Sequence, residues 1–447
     1  MDNIFAISSG RGKAGVAVVR ISGPKAEQAL FSLGFNQLPE PRKAIYKKLI
    51  AKDGKIIDHA LCLYFPAPYS FTGEACVEFH THGSIAVLDS LLNHLSSVPN
   101  FRVAEPGEFS KRAFENNKMD LIQAEGLADL IEAETSAQAK QALRAMEGEN
   151  SKIYEDWRTR IIEMMAFVEA YIDFPDENIP ADLDLQAQRK IKNIISEIDL
   201  QINNNSGERI RLGAVATIIG APNVGKSTLI NFLSQRDLAI VSEIAGTTRD
   251  SIEAHLNIDG LPLTMIDTAG IRESKDEIEQ EGVKRALEKA EKADFAIVML
   301  EDISTGSLKN ADKNIKKYLN DDNNLIVINK IDLNEVPSTK YEVQGLIPIS
   351  LKERTGTTEL VKKIKEKVEK LLGNSENAIV TRKRHKVNLE NCVAELSGFI
   401  EAREQNLPIE LCAENLRRAS FYLGKIVGKI GVEDILDKIF SEFCIGK

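Results

Sequence analysis

Apolar and polar positions fall into four successive textures along the chain, and each predicts a different kind of packing. Up to about residue 118, apolar runs of strand length alternate with amphipathic stretches. Residues 15–21 read as a buried strand, followed by a helix over 26–33 that Pro24 opens. Residues 46–50 and 55–65 flank Asp53-Gly54, the signature of a tight hairpin. A further strand is expected over 75–80. Next comes a helix over 85–95 with Leu88, Leu91, Leu92 and Leu95 on one face. From 119 to about 205 the spacing turns helical. Leu121, Ala124, Leu127, Ala128 and Ile131 mark one stripe, and Ile161, Met164, Met165, Val168 and Ile172 another. Pro175 and Pro180 break the pattern into two long helices, and the polar run 203–208 reads as a link. Strands and helices alternate again to about residue 373; beyond a polar hinge at 373–377, helical spacing resumes over 378–439.

The third texture carries the chemistry. An apolar run over 214–219 leads into Gly220-Ala221-Pro222-Asn223-Val224-Gly225-Lys226-Ser227-Thr228, and an amphipathic helix over 226–233 follows. This is the phosphate-binding loop pattern, with Gly220, Gly225, Lys226 and Ser227 in its fixed positions. Backbone N–H groups converging on a helix N-terminus favour a polyphosphate, and glycines let the main chain approach it. Lys226 is placed to reach the terminal phosphates, and the Ser227 hydroxyl to complete a magnesium shell.

Three further signals follow in order. Asp267-Thr268-Ala269-Gly270, after an apolar-alternating strand over 263–266, places a carboxylate near magnesium and a backbone N–H near a gamma-phosphate. Asn329-Lys330-Ile331-Asp332 closes a strand over 325–328; the Asp332 carboxylate can accept two hydrogen bonds from the amino and imino edge of guanine, which adenine does not offer. Ser350-Leu351-Lys352, after 346–349, reads as the loop backing the base. Together they specify guanine-nucleotide binding. Gly270 is followed by Ile271, which cannot orient water, so another group must do so. The acidic stretch 273–281 offers Asp276, Glu277, Glu279 and Glu281.

Length and charge narrow the rest. At 447 residues the chain has room for about three domains. A net charge of -10 argues against holding nucleic acid by bulk electrostatics. The most concentrated positive run is Arg382-Lys383-Arg384-His385-Lys386, readable either as a solvated helix start or as a phosphate-backbone contact. Five cysteines without a C-x-x-C pair fit a reducing, cytoplasmic setting, and neither a signal peptide nor a transmembrane helix is expected. His80 and His82, two apart on one strand face, read as ordinary strand residues rather than a zinc site.

Flanking motifs then carry a resemblance that spans the chain. Val19-Arg20-Ile21-Ser22-Gly23, Tyr69-Ser70-Phe71-Thr72-Gly73-Glu74, Glu105-Pro106-Gly107-Glu108-Phe109-Ser110, Lys111-Arg112-Ala113-Phe114 and the terminal Cys444-Ile445-Gly446-Lys447 resemble the MnmE (TrmE) family of tRNA-uridine-modification GTPases. The nucleotide motifs alone are shared with ribosome-assembly GTPases, the leading rival reading. A nucleotide-gated scaffold with a vestigial folate pocket is another. The resemblance implies a multidomain fold of α/β and all-α parts. These would be an α+β tetrahydrofolate-binding and dimerisation domain over 1–118, a discontinuous helical domain over 119–210 and 374–447, and an inserted Ras-like P-loop G domain over 211–373.

It also implies site residues. Arg20, Glu78, Lys118 and Lys447 would hold 5-formyl- or 5,10-methylene-tetrahydrofolate. Asn223, with Ser242, Ile244 and Thr247 of the loop Ser242-Glu243-Ile244-Ala245-Gly246-Thr247-Thr248, would hold potassium. Ser227 and Thr248 would hold magnesium, and Glu279 would orient the attacking water. The same resemblance implies a homodimer acting on tRNA with an FAD-dependent flavoprotein like the MnmG (GidA) family. The product would be an aminomethyl-type group at C5 of the wobble uridine, built from a folate-borne one-carbon unit. No G-x-G-x-x-G follows a strand in this chain, so the flavin is assigned to that partner.

Overall fold

The computed structural model describes residues 2–10, 12–173, 181–221, 223–234, 253–267, 291–301, 318–319, 321–333, 346–373, 378–405, 407–431, 433–441, 443 and 445–446. The chain divides into two compact units, one of residues 1–128, 145–187 and 394–447, the other of 129–144 and 188–393.

In the first unit, period-2 alternation builds a six-stranded sheet. Its strands are β1 (Asn3–Ile7), β2 (Ala14–Ser22), β3 (Ile45–Ile50), β4 (Ile56–Phe65), β5 (Cys76–Gly83) and β6 (Phe101–Val103), in the order β3-β4-β5-β2-β1-β6. Only the β1–β6 pair is parallel. Ala17, Val19 and Ile21 of β2 and Val77 and Phe79 of β5 are buried with Leu88, Leu91 and Leu95 of α2 (Ile85–Ser96). The alternate positions, Arg20 and Glu78, lie opposite each other across the β2–β5 ladder. The hairpin turn at Gly54 is as expected, with φ at +81°.

Three local expectations are corrected. The helix expected over 26–33 is only α1 (Gln28–Ser32). Residues before it form i→i+3 turns, Ala26 N–H to Gly23 and Gln28 N–H to Lys25, because the Asn3 side chain accepts from Lys25 N–H at 2.9 Å and packs against Gly23. In α4 (Leu121–Glu132), Leu121 and Ala124 are buried but Ile131 is exposed, and Ile122 and Glu125 take the inner positions. Half of the polar link, 206–208, belongs to helix α8 (Ser206–Leu212), where Gly207 packs on the Val380 carbonyl and a Cβ would stand 2.4 Å away.

The remaining helices of the early chain are α3 (Glu108–Glu115), α5 (Ser136–Met146), α6 (Glu149–Asp173) and α7 (Ala181–Ile202). Among the described residues no helix is long and apolar enough to cross a membrane.

The second unit contains the other sheet. Its strands are β7 (Ala214–Gly220), β8 (Glu253–Ile258), β9 (Leu261–Asp267), β10 (Phe295–Leu300), β11 (Leu325–Ile328) and β12 (Leu346–Pro348), in the order β12-β11-β10-β7-β9-β8. All pairs are parallel except β8–β9. Such strands are covered on both faces, which is why β10 is apolar along its whole length. Leu229 and Leu233 of α9 (Lys226–Leu233) and Leu360, Ile364 and Val368 of α10 (Thr357–Leu372) complete this core.

Three late helices, α11 (Lys383–Glu404), α12 (Ile409–Val427) and α13 (Glu433–Ser441), follow. The last of them leads the C-terminal segment onto the N-terminal residues. Pro106 pairs with Ile445, and Ser8 Oγ donates to the Gly446 carbonyl at 2.9 Å. Gly107 sits at φ +66°, where an added Cβ would lie 2.3 Å from the Phe440 carbonyl. Gly107→Ala therefore meets both a strained φ and a backbone clash. Urea unfolding of the variant is expected to show a loss of about 1–3 kcal/mol in the first unit.

Candidate functional site

The C-terminal ends of β7, β9, β11 and β12 meet along one edge of the second sheet, where open parallel sheets bind their ligands. β7 ends at Gly220, where an added Cβ would lie 2.6 Å from the Met299 carbonyl of β10. The loop turns through Asn223 at φ +62° and Gly225 at φ +108°, then enters α9 at Lys226. The Lys226 side chain is buried along the loop, and its ammonium donates to the carbonyls of Gly220 at 2.7 Å and Ala221 at 2.9 Å. Ser227 and Thr228, in the first turn of α9, are exposed; Val224 is buried.

One buried amide joins this loop to the two loops expected to read the base. Asn329 Nδ2 donates to the Val224 carbonyl at 2.9 Å, and Asn329 Oδ1 accepts from the Leu351 N–H at 3.2 Å. An added Cβ at Gly225 would lie 2.4 Å from that Nδ2, so glycine is required there. Asp332 is exposed, and Ser350 Oγ donates to its Oδ1 at 2.6 Å. That hydrogen bond, with Lys352 and Lys330 nearby, holds the carboxyl below the usual range, so it is an acceptor at neutral pH. Lys330, at φ +68°, pairs with Glu301, and Lys352 is exposed. Asp267 ends β9 in register with Ile218. Thr268, Ala269, Gly270, the loop Ser242 to Thr248, and Glu279 lie outside the described residues.

A second polar constellation occupies the first sheet. Arg20 Nε donates to Glu78 Oε1 at 2.9 Å, and His80 Nε2 lies 3.2 Å from Glu78 Oε2. The Arg20 guanidinium sits 5.2 Å from the Phe71 ring centre and 6.0 Å from that of Phe109. Lys118 is exposed beside Gly73, and Lys447 lies outside the described residues. His82 bonds Asp58 at 2.8 Å, so the two histidines serve separate carboxylates.

Sequence reasoning missed the aromatic pair and the cluster beside it, although Phe71, Phe109, Glu74, Glu108 and Arg112 belong to the quoted motifs. Arg112 is buried and donates to Glu74, Glu108 and Asp2, while Arg102 reaches Asp2 and Glu108. Burial opposes ionisation of Asp2 and Glu108, yet the arginine hydrogen bonds win and hold both carboxyls below their ordinary values. Lowered carboxyl values mean stability present above about pH 4.5 and lost as pH falls through the native values. Of the basic run, Arg382 pairs with Asp129 at 2.6 Å and His385 is buried, so it is not simply a solvated helix start.

Comparison with known proteins matches the GTP-binding protein TrmE N-terminus over residues 3–118 and the MnmE helical domain over 121–444. The chain belongs to the MnmE family. Relatives called tRNA modification GTPase MnmE include those of Rickettsia akari, 44% identical over 456 residues, and Rickettsia bellii, 45% identical over 454, with 100% of both chains covered in each case. A solved structure of Aquifex aeolicus Era bound to GDP and AlF4- is 27% identical, covers 40% of this chain and 66% of its own, and aligns with a TM-score of 0.25. The matched range 121–444 spans the loop at 220–228 and the loops at Asn329 and Ser350.

In this MnmE-family chain, Asp332→Asn replaces one acceptor oxygen with a donor, which suits the C2 carbonyl of xanthine and opposes the amino group of guanine. GTP affinity should fall by on the order of 100-fold or more while XTP gains, measured by nucleotide titration. Acid titration followed by circular dichroism should show the first unit losing structure as pH falls below about 4.5.

Proposed function

We propose that this chain hydrolyses GTP to drive modification of tRNA. The reading is carried by the Asn329 amide, which ties a phosphate-binding loop to a guanine-reading carboxylate in a chain full-length with its MnmE relatives. Lys226 binds the terminal phosphates, the Asp332 carboxylate reads the base, and Asn329 keeps the two loops at a constant separation.

The finer reading concerns cations and water. Ser227 and Thr248 would hold magnesium; Asn223, Ser242, Ile244 and Thr247 would hold potassium. Asn223 fits that use, since it is exposed at a left-handed turn of the loop and offers a hard amide oxygen. A potassium ion there supplies positive charge beside the phosphates where other GTPases use an arginine. Glu279 orients the attacking water, a task Ile271 cannot perform.

The N-terminal constellation is read as the folate site, with Arg20, Glu78, Lys118 and Lys447 as its polar groups. Glu78 suits the amino-pyrimidine edge of a pterin, and Phe71 and Phe109 beside Arg20 suit a planar ring. In this reading the chain works as a cytoplasmic homodimer with an FAD-dependent flavoprotein like the MnmG (GidA) family. It uses a folate-borne one-carbon unit to place an aminomethyl-type group, the carboxymethylaminomethyl class, at C5 of the wobble uridine.

Two measurements on the intact chain test this. Glu279→Ala should lower single-turnover GTP hydrolysis by about 100-fold or more, and potassium should outpace sodium in wild type; equal rates in either comparison remove that assignment. Arg20→Ala should abolish 5-formyl-tetrahydrofolate binding and tRNA modification while GTP turnover persists. Unchanged folate binding rejects the pocket.

A further inference from the structure

The β8–β9 hairpin has two ends, and the end remote from the nucleotide loop is held by neighbouring helices. The Gly260 carbonyl at its tip accepts the Ala137 N–H at 3.1 Å and Ser136 Oγ at 3.4 Å, both from the first turn of α5. Gly260 lies at φ +92°, where an added Cβ would stand 2.5 Å from Ser136 Oγ, so the approach is close. Lys365 of α10 pairs with the adjacent Asp259.

A single carboxylate next to this contact binds the chain both before and after the sheet. Asp129 Oδ1 accepts from Arg211 Nε at 2.9 Å and Arg382 Nη2 at 2.6 Å, with its side chain only 16% exposed. Arg211 lies at the end of α8, just before β7, and Arg382 follows α10. Gln138 Nε2 donates to the Arg211 carbonyl at 3.1 Å, which links the carboxylate to the α5 turn. Thus the segment 129–138 grips the hairpin tip, the entry to the sheet and the exit from it.

The opposite end of β9 is Asp267. Between tip and site, β9 runs in parallel register with β7 from Ala214↔Leu263 to Ile218↔Asp267. A hydrogen-bonded strand is stiff along its axis, so holding the tip sets where Asp267 stands. We propose that Asp129 and the first turn of α5 form a clasp that positions Asp267 for GTP hydrolysis and passes the nucleotide state to the helical segment 129–144. Asp129 is a positioning residue here, acting through Arg211 and β7–β9. The proposal rests on the guanine-nucleotide reading of the loop. By linkage, whatever the clasp adds to the preference for GTP over GDP, the nucleotide returns to the clasp.

The test uses the full chain with Asp129→Asn, which removes the shared acceptor charge, and Arg382→Lys, which keeps the charge but loses the planar fork. Amide hydrogen exchange over residues 257–266, without nucleotide, should quicken by about tenfold in Asp129→Asn and less in Arg382→Lys. The affinity ratio between a non-hydrolysable GTP analogue and GDP, read with fluorescent nucleotides, should shift by on the order of tenfold in the same rank. Asp129→Glu should restore both. A merely structural role lowers the thermal midpoint and leaves the ratio where it was, which overturns the coupling. Unchanged exchange in both variants overturns the clasp. Should Asp129→Asn fail to fold, Arg382→Lys decides by the same two readings. If wild type binds no guanine nucleotide, the functional reading and the coupling both fall, and the exchange result still judges the clasp.

Discussion

The two hydrogen bonds of the Asn329 side chain are the constraint on which the nucleotide site depends. A buried carboxamide must satisfy both its donor and its acceptor, and here each goes to a different loop, Val224 on one side and Leu351 on the other. The loops at Val224 and Leu351, more than a hundred residues apart in sequence, therefore hold one separation. Gly225 follows from the same bond, since any side chain would displace the amide. Asp332 is set in turn by Ser350 Oγ, whose backbone pairs with Thr355. What reads as three separate motifs, at Gly225, Asn329 and Ser350, is one hydrogen-bonded frame.

The N-terminal sheet solves a different problem. Arg20 and Glu78 face each other across adjacent strands on the side away from the packed helix α2, and two phenylalanines flank the guanidinium. Phe71 and Phe109 come from loop and helix positions that the Arg112 cluster holds through Glu74 and Glu108. A buried guanidinium such as that of Arg112 is costly unless its donors find acceptors, and here they reach Asp2, Glu74 and Glu108. The C-terminal residues close against the same domain because Gly107 and Gly446 admit backbone contact.

The two constellations share a logic. Each places its polar groups at strand ends or on an open sheet face. In the second sheet the tip of the β8–β9 hairpin is tied by polar contacts to α5 and α10. A strand held in this way transmits displacement better than a loop does.

By itself the sequence determined the element types, the strand-to-loop-to-helix context of the nucleotide motifs, the hairpin at Gly54 and the family. All of these rest on local spacing and on residue types with few alternatives, such as glycine at positive φ. It did not determine the length of α1, the inward face of α4 or the helix hidden in the polar run 203–208. Those were decided by Asn3, by neighbouring helices and by the Val380 carbonyl, partners remote in sequence. The pairing of Asp129 with Arg211 and Arg382, and the approach of Arg20 to Phe71 and Phe109, likewise belong to tertiary structure alone. Charges and rings far apart in a chain carry no mark of one another until packing leaves them no other partner.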